Sequence, residues 1–238
     1  MDETTVRRLN AINRTFYRTT ADAFDQTRGQ PWPGWQRLLP HLPNPTSVLD
    51  VGCGNGRLGI FLAQHVPLAH YHGVDNNEAL LERAQSALIH LPATFEHRDI
   101  IEHPPDSGAF DLVALFGVLH HVPGFEQRQR LLRTLAERVR TGGMLAFACW
   151  RFYEFERFRQ RIVPWPDDLR VEQHDYLLDW RRGETALRYC HYVDDQEQAA
   201  LVNATGLTEI DTYRADGFSG TVNGYSLLRK SEAAEPIT

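Results

Sequence analysis

Residues 48–57 read V-L-D-V-G-C-G-N-G-R, and no other stretch of the 238-residue chain limits its fold more tightly. The apolar residues around Asp50 read as the end of a buried strand, and residues 58–65 read as a helix. Between them, Gly52, Gly54 and Gly56 make a turn that other residue types would obstruct. Glycine adopts positive φ freely and lets backbone approach a ligand. The helix N-terminus beyond the turn offers unpaired N–H groups. Together these features predict a nucleotide-sized pocket at the carboxyl end of a strand. The spacing is D-x-G-x-G-x-G. A dinucleotide fingerprint, G-x-G-x-x-G, needs glycine at position 57, where the chain has Arg57. Asp50 also places negative charge where a pyrophosphate would want none, and suits an amine-bearing ligand instead. An ordinary strand–turn–helix with glycines for packing alone is the bland alternative, but three alternate glycines beside an acid exceed what a turn requires.

Composition narrows the class. The hydrophobic share of 42% is that of an ordinary soluble domain. No run of about 18 apolar residues occurs, so no transmembrane helix is expected. The first five residues lack the basic-then-apolar pattern of a signal peptide. Cys53, Cys149 and Cys190 are far apart and show no metal-ligand spacing, which predicts no metal site and a reducing, cytoplasmic setting. The net charge of −6 argues against a chain that is basic all over. Lys230 is the only lysine among 25 basic residues, which reads as coding bias; arginine enrichment by itself does not indicate RNA binding.

Strand and helix signals alternate along the middle of the chain. A second strand over 69–75 ends in Asp75, little more than twenty residues past the glycine turn, where an acid accepts hydrogen bonds from ribose hydroxyls. Asn76 and Asn77 cap a helix to about residue 90. A third strand over 93–99 ends in Asp99, and Asp99 with Ile100 fits an adenine pocket. A fourth strand covers 110–116. An amphipathic helix over 126–140 follows, ended by residues 141–143, and a fifth strand covers 144–150. This alternation implies a parallel sheet with right-handed crossovers. Before it, residues 4–26 are helical. Pro31 and Pro33 then forbid regular structure in a stiff loop whose Arg28 and Trp32 are expected to cover the pocket, and a helix restarts over 35–42. After it, 151–161 reads as a helix with aromatics at 152, 155 and 158. Residues 187–193 form an extra strand, 194–205 a helix capped by Asp194 or Asp195, and 207–213 and 223–229 the last strands. Residues 231–238 read as a frayed tail.

The glycine turn resembles motif I of class I S-adenosylmethionine (SAM)-dependent methyltransferases. The run F-D-L-V-x-x-x-G-V-L-H-H-V over 110–122 resembles their motif IV. The resemblance implies an α/β, Rossmann-like seven-stranded sheet, mostly parallel with an antiparallel last strand and helices on both faces. The chain then divides, within one domain, into an N-terminal helical cap (1–45), a SAM-binding core (46–150), a lid or substrate insertion (151–190) and C-terminal strands and helix (191–230). SAM is the implied cofactor and S-adenosylhomocysteine (SAH) its product. The implied contacts are Asp50 with the amine, the loop Gly52, Cys53, Gly54, Asn55 and Gly56, and Asp75 with Asn76 at the ribose. Asp99 and Ile100 would meet the adenine, Phe116 and Gly117 the reaction side, and Arg28, with Tyr17, the methionine carboxylate. His120 and His121 are candidates for contact with the methyl acceptor and for acid–base work, although histidines at a helix start are more often structural.

The flanks carry a narrower likeness. F-D-x-T-R-x-x-P-W-P over 24–33, D-Y-L-L-D-W over 175–180 and R-Y-C-H-Y over 188–192 resemble the tRNA wobble-uridine carboxymethyl methyltransferases, including the methyltransferase domain of an AlkB-homologue enzyme. That likeness implies methyl transfer to a carboxylate on tRNA, with a partner subunit supplying the basic surface the chain lacks. The same chemistry on a small metabolite is one alternative. A nucleotide-binding protein without transfer activity, or a dinucleotide oxidoreductase, is another. A carboxylate acceptor needs no general base but does call for an arginine clamp. Arg151, Arg181, Arg182, Arg188 and Arg214 are all available, and the sequence does not choose among them.

Overall fold

Six consecutive buried residues, Thr46–Val51, form strand β1 at the centre of the sheet. The computed structural model describes residues 1–26, 29–166, 168–182 and 184–231. Helix α1 (Glu3–Gln26) precedes β1, followed by a 3-10 helix (Pro33–His41). After β1 come α2 (Arg57–Ala63), β2 (Leu68–Asp75), α3 (Glu78–Ala87), β3 (Ala93–His97) and β4 (Phe110–Phe116). A short 3-10 turn (Leu119–His121) leads to α4 (Phe125–Glu137) and β5 (Val139–Trp150). The insertion holds a 3-10 turn (Phe152–Glu154), α5 (Glu156–Arg159), β6 (Ile162–Val163), β7 (Asp175–Arg182) and β8 (Glu184–His191). Helix α6 (Asp195–Thr205), β9 (Thr208–Ala215) and β10 (Asn223–Arg229) close the fold.

The main sheet has seven strands in the order β3-β2-β1-β4-β5-β10-β9. Strands β1 to β5 pair in parallel, and β10 is antiparallel to both β5 and β9. This is the expected Rossmann-like class I arrangement. The strand order reverses beside β1, so the loops after β1 and β4 open into one crevice at the carboxyl ends of the strands. Two apolar cores lie on the two faces. One packs Leu131, Leu132 and Leu135 of α4 and Leu201 of α6 on the sheet, and the other packs Leu58, Phe61 and Leu62 of α2 with Trp35. Helix α4 starts at Gly124, which has no side chain to cap it, but Glu172 of the insertion accepts from the Phe125 N–H (3.0 Å) and caps the helix from outside. Its three leucines contribute about 2 kcal/mol each on burial. Helix α3 is capped by Asn77, whose side chain accepts from Leu80 N–H, and α6 by Asp194, which accepts from Glu197 N–H.

Several expected boundaries move. Helix α4 ends at Glu137, and residues 139–143 belong to β5 instead of terminating the helix. Phe110 pairs with Val139, and Gly142 and Gly143 exchange backbone bonds with Lys230, so long-range pairing holds this glycine-bearing segment extended. Pro33 starts the 3-10 helix instead of forbidding it, as a first-turn proline has no N–H to lose. Strand β3 stops at His97, two residues before Asp99. Residues 151–161 form two separate short turns in place of one helix, because Phe152 is buried under Trp150 and between Tyr176 and Tyr192.

The insertion folds as a separate three-stranded antiparallel sheet, β6-β7-β8, with β8 running to His191. A buried polar network docks it. His191 is bonded on one ring nitrogen to Asp175 and on the other to Glu197, both at 2.7 Å. Arg128, only 1% exposed, donates to Glu197 (2.6 Å), Glu172 (3.2 Å) and the Val122 carbonyl (2.9 Å). Burial works against the His191 charge, but the bonds to Asp175 and Glu197 prevail and hold its pKa above the ordinary value. Its stabilising contribution is therefore complete below pH 6.5 and fades as pH rises through the folded-state value. Arg128→Ala strands two carboxylates in the α4–α6 junction and should cost about 3–5 kcal/mol in urea unfolding. A loss below about 1 kcal/mol would show that the network does not hold the insertion down.

Candidate active site

The loops after β1, β2, β4 and β5, together with α1 and the insertion, enclose a cavity of about 660 Å³, the size range of a nucleotide or cofactor site. Asp50, Gly52, Cys53, Gly54, Asn55, Asp75, Asn76, Asp99, Ile100, Phe116 and Gly117 all line it. Arg28 lies outside the described residues. Gly56 does not line the cavity. It is the left-handed N-cap of α2 (φ 77°), and a Cβ there would stand 3.2 Å from the Ala84 Cα, so its bareness lets α2 pack on α3.

The turn is shaped by contacts that the sequence leaves implicit. Gly52 has φ 75°, and a Cβ on it would lie 2.2 Å from the Val118 side chain, so the two strand-end loops touch there. Gly54, at φ 53°, has nothing within 4 Å of an added Cβ and presents bare backbone to the cavity. Its N–H donates to Asp75 Oδ2 (2.8 Å), while Asn77 N–H donates to Asp75 Oδ1 (2.9 Å). Each carboxylate oxygen is thus fixed by one backbone donor and keeps further accepting capacity. Burial raises the Asp75 pKa, although these N–H bonds oppose the shift. Asp50 is 3% exposed and accepts 2.6 Å from the Tyr71 hydroxyl. Burial pushes the Asp50 pKa up to about 7; the Tyr71 bond works against this and nearby Asp75 adds to it. Burial also pushes the Cys53 thiol well up, so it stays protonated.

Asp99 differs from expectation in its bonding. Oδ1 accepts from Ile101 N–H (3.0 Å), and Oδ2 accepts from Asn10 (2.8 Å) and Arg14 (3.3 Å) of α1. The acid therefore caps the turn after β3 and pins α1 across the cavity. Tyr17 likewise gives its hydroxyl to His121 Nε2 (2.8 Å). His121 Nδ1 faces the Tyr189 carbonyl at 2.9 Å, which can only accept, so Nδ1 carries the proton and Nε2 accepts from Tyr17. Both nitrogens of His121 serve the joint between the β4 loop, α1 and β8, and neither is poised as a base. His120 lines the cavity, its ring 5.2 Å from that of Trp150. Trp32 does cover the pocket as expected, with Gly117 beneath it, and the Arg57 guanidinium lies 5.3 Å over its ring.

Some residues in or beside the cavity escaped sequence reasoning. Tyr71 meets Asp50 only through the β1–β2 register. Asn10 and Asn13 are buried amides on the apolar face of α1, and polar residues recurring inside an apolar stripe are the signal that could have marked them. Arg157, Arg161, Leu178 and Trp180 come from the insertion, beside Arg188, one of the five candidate clamp arginines.

The sheet order and the crevice at the carboxyl ends of the strands are those of the class I methyltransferase fold, and comparison with known proteins finds the same fold. Residues 48–143 match the methyltransferase domain family. The chain is similar to two enzymes named tRNA (carboxymethyluridine(34)-5-O)-methyltransferase. That of Saccharomyces cerevisiae is 30% identical over 158 residues, 63% of this chain and 54% of the relative. ALKBH8 of Mus musculus is 32% identical over 204 residues, 84% of this chain and 29% of the relative. The trans-aconitate 2-methyltransferase of Deinococcus radiodurans is 38% identical over 124 residues, 52% of this chain and 45% of the relative. The chain thus spans about half or less of the length of these relatives. Among solved structures, the N-methyltransferase NodS of Bradyrhizobium japonicum in complex with SAH shares the fold, with a TM-score of 0.58 at 17% identity over 96% of this chain and 98% of that one. Among the described residues, no helix is long and apolar enough to cross a membrane.

The donor set fits SAM: an open glycine backbone, a pre-oriented acid for hydroxyls and a buried acid for an amine. Two outcomes follow. Asp75→Ala should reduce SAH affinity by at least about 30-fold in calorimetry, the loss of a charge-assisted pair; unchanged affinity would rule out its ribose role. Asp50 is neutral below its raised pKa of about 7 and charged above it, so SAH should bind more tightly at pH 8 than at pH 6, and Asp50→Asn should flatten that dependence. Equal slopes for both proteins would remove Asp50 from the amine site.

Proposed function

We propose that this domain transfers a methyl group from SAM to a carboxylate carried by a modified wobble uridine in tRNA. The observation that carries this reading is the division of charge across the cavity. Asp50, Asp75 and Asp99 line the core wall, whereas Arg157, Arg161 and Arg188 line the insertion wall. Arg57, on the core side, donates to the Gln30 carbonyl, and the two further acids that line the cavity are both engaged. Asp179 lies 3.9 Å from Arg161, and Asp216 accepts from Gly34 N–H, Asn223 and Tyr225. The acidic wall suits the amine and hydroxyls of the cofactor, and the arginine wall suits an anionic acceptor. Asp75 holds the ribose, Asp50 the amine, and the 52–55 backbone the methionine moiety.

When bound, SAM supplies an electrophilic methyl on a sulfonium, and an acceptor carboxylate takes it with no proton to remove. His121, bonded on both ring nitrogens, is consistent with a reaction that needs no base there. The main contribution of the protein is alignment and exclusion of water. The rim supports a polynucleotide acceptor. Phe218 is 60% exposed, and the Arg157 guanidinium lies 4.6 Å over its ring, a pairing on which a base can stack and a phosphate can rest. The net charge of −6 leaves most phosphate neutralisation to a partner subunit, and the setting for such an enzyme is the cytoplasm. A second reading, methylation of a small polycarboxylic acid, draws on the likeness to trans-aconitate 2-methyltransferase.

Transfer of labelled methyl from SAM should appear on tRNA bearing carboxymethyluridine and be sensitive to alkali, as an ester is. Label on trans-aconitate but not on tRNA would select the second reading.

A further inference from the structure

The insertion half of the cavity holds a buried cation unlike the other buried arginines. Arg188, on β8, is 9% exposed. Its guanidinium lies 4.6 Å over the Trp150 ring, 5.4 Å over Phe16 and 6.0 Å over Trp180. Among the described residues, no carboxylate, carbonyl or hydroxyl accepts a hydrogen bond from it. Arg128, by contrast, is matched to Glu172, Glu197 and the Val122 carbonyl. Arg151 is matched to the Val193 carbonyl, Gln198 and Asp195, and Arg214 to Glu154. The side chains of Arg181 and Arg182 lie outside the described residues.

Stacking covers the faces of a guanidinium but leaves its five N–H donors, which point outward in the plane of the fork. Those donors open onto the cavity with no protein acceptor among the described residues, so an anion that enters the cavity can take them. Arg188 lines the cavity, and Trp150 connects it to His120 at the end of the β4 loop, the side on which acceptor meets cofactor. Aromatic rings around a planar fork form a slot for a planar, two-oxygen anion, which makes two parallel bonds to one guanidinium.

We propose that Arg188 is an acceptor-binding residue that grips the carboxylate to be methylated, and that it thereby selects free acids over their neutral esters and amides. This rests on the carboxylate-acceptor reading above. The acceptor oxygen forms the new bond to carbon as the carbon–sulfur bond breaks, the electron pair stays on sulfur, and no proton moves. The product ester is neutral and gives up the paired charge, so the same residue that captures the acid favours release of the ester.

The test uses SAH-loaded protein and two acids, an anticodon stem-loop bearing carboxymethyluridine and trans-aconitate, each beside its methyl ester. Transfer from labelled SAM is measured in parallel. Wild type should bind the accepted acid about 30-fold more tightly than its ester. Arg188→Ala should bring that ratio to within about threefold of one, lower kcat/KM by about 100-fold mainly through KM, and keep SAH affinity within about threefold. Arg188→Lys should fall between the two, and added guanidinium ion should restore part of the alanine variant's activity. An alanine variant that keeps the acid preference and wild-type kcat/KM would overturn the role of Arg188 while leaving the carboxylate reading intact. A wild type that methylates neither acid and shows no acid preference would overturn the carboxylate reading, and the role of Arg188 with it.

Discussion

The close approach of Gly52 to Val118 is the constraint on which the rest of the site depends. A Cβ at position 52 would stand 2.2 Å from a Val118 methyl, so only a bare backbone lets the loops after β1 and β4 meet. Because β1 and β4 are adjacent parallel strands, both loops leave the same edge of the sheet. In the proposed reading one loop presents the cofactor and the other leads to His120, His121 and the acceptor, so that the methyl group passes between them and their contact keeps that distance short.

Around this contact Asp50, Asp75 and Asp99 stand at the ends of β1 and β2 and just past β3. Three of the four arginines that line the cavity, Arg157, Arg161 and Arg188, belong to the insertion, whose orientation is set in part by buried polar bonds. Asn13 accepts from the Tyr189 N–H, His121 donates to the Tyr189 carbonyl, and Tyr189 donates to Asp175, so α1, the β4 loop and the insertion sheet share one joint. Hydrogen bonds of this kind are directional and fix the insertion at a defined angle, which apolar packing alone would leave looser.

The glycine turn, Asp75, the strand–helix alternation and the parallel sheet were legible in the sequence because each follows from local chemistry: positive φ, caps and period. Residues 139–143 misled because their extended form comes from pairing with Phe110 and Lys230, both distant in sequence. Asp99 was legible as a cavity residue but not as the anchor of Asn10 and Arg14, since α1 reaches it across 85 residues or more. Tyr71 was invisible for the same reason, and its bond to Asp50 appears only once β1 and β2 are in register. The clamp could not be chosen among five arginines from sequence, because what singles out Arg188 is what surrounds it: aromatic rings from three elements and no acceptor.

The central claim is that the acids of the strand-end loops form the SAM site and face an acceptor wall built by the insertion. A crystal structure of the protein with SAH tests it most directly. The account predicts both ribose hydroxyls within hydrogen-bond distance of Asp75, the amine at Asp50 and the sulfur turned toward Gly117 and His120. A ligand seated away from the 52–56 loop, or with its sulfur turned from the insertion, would contradict it.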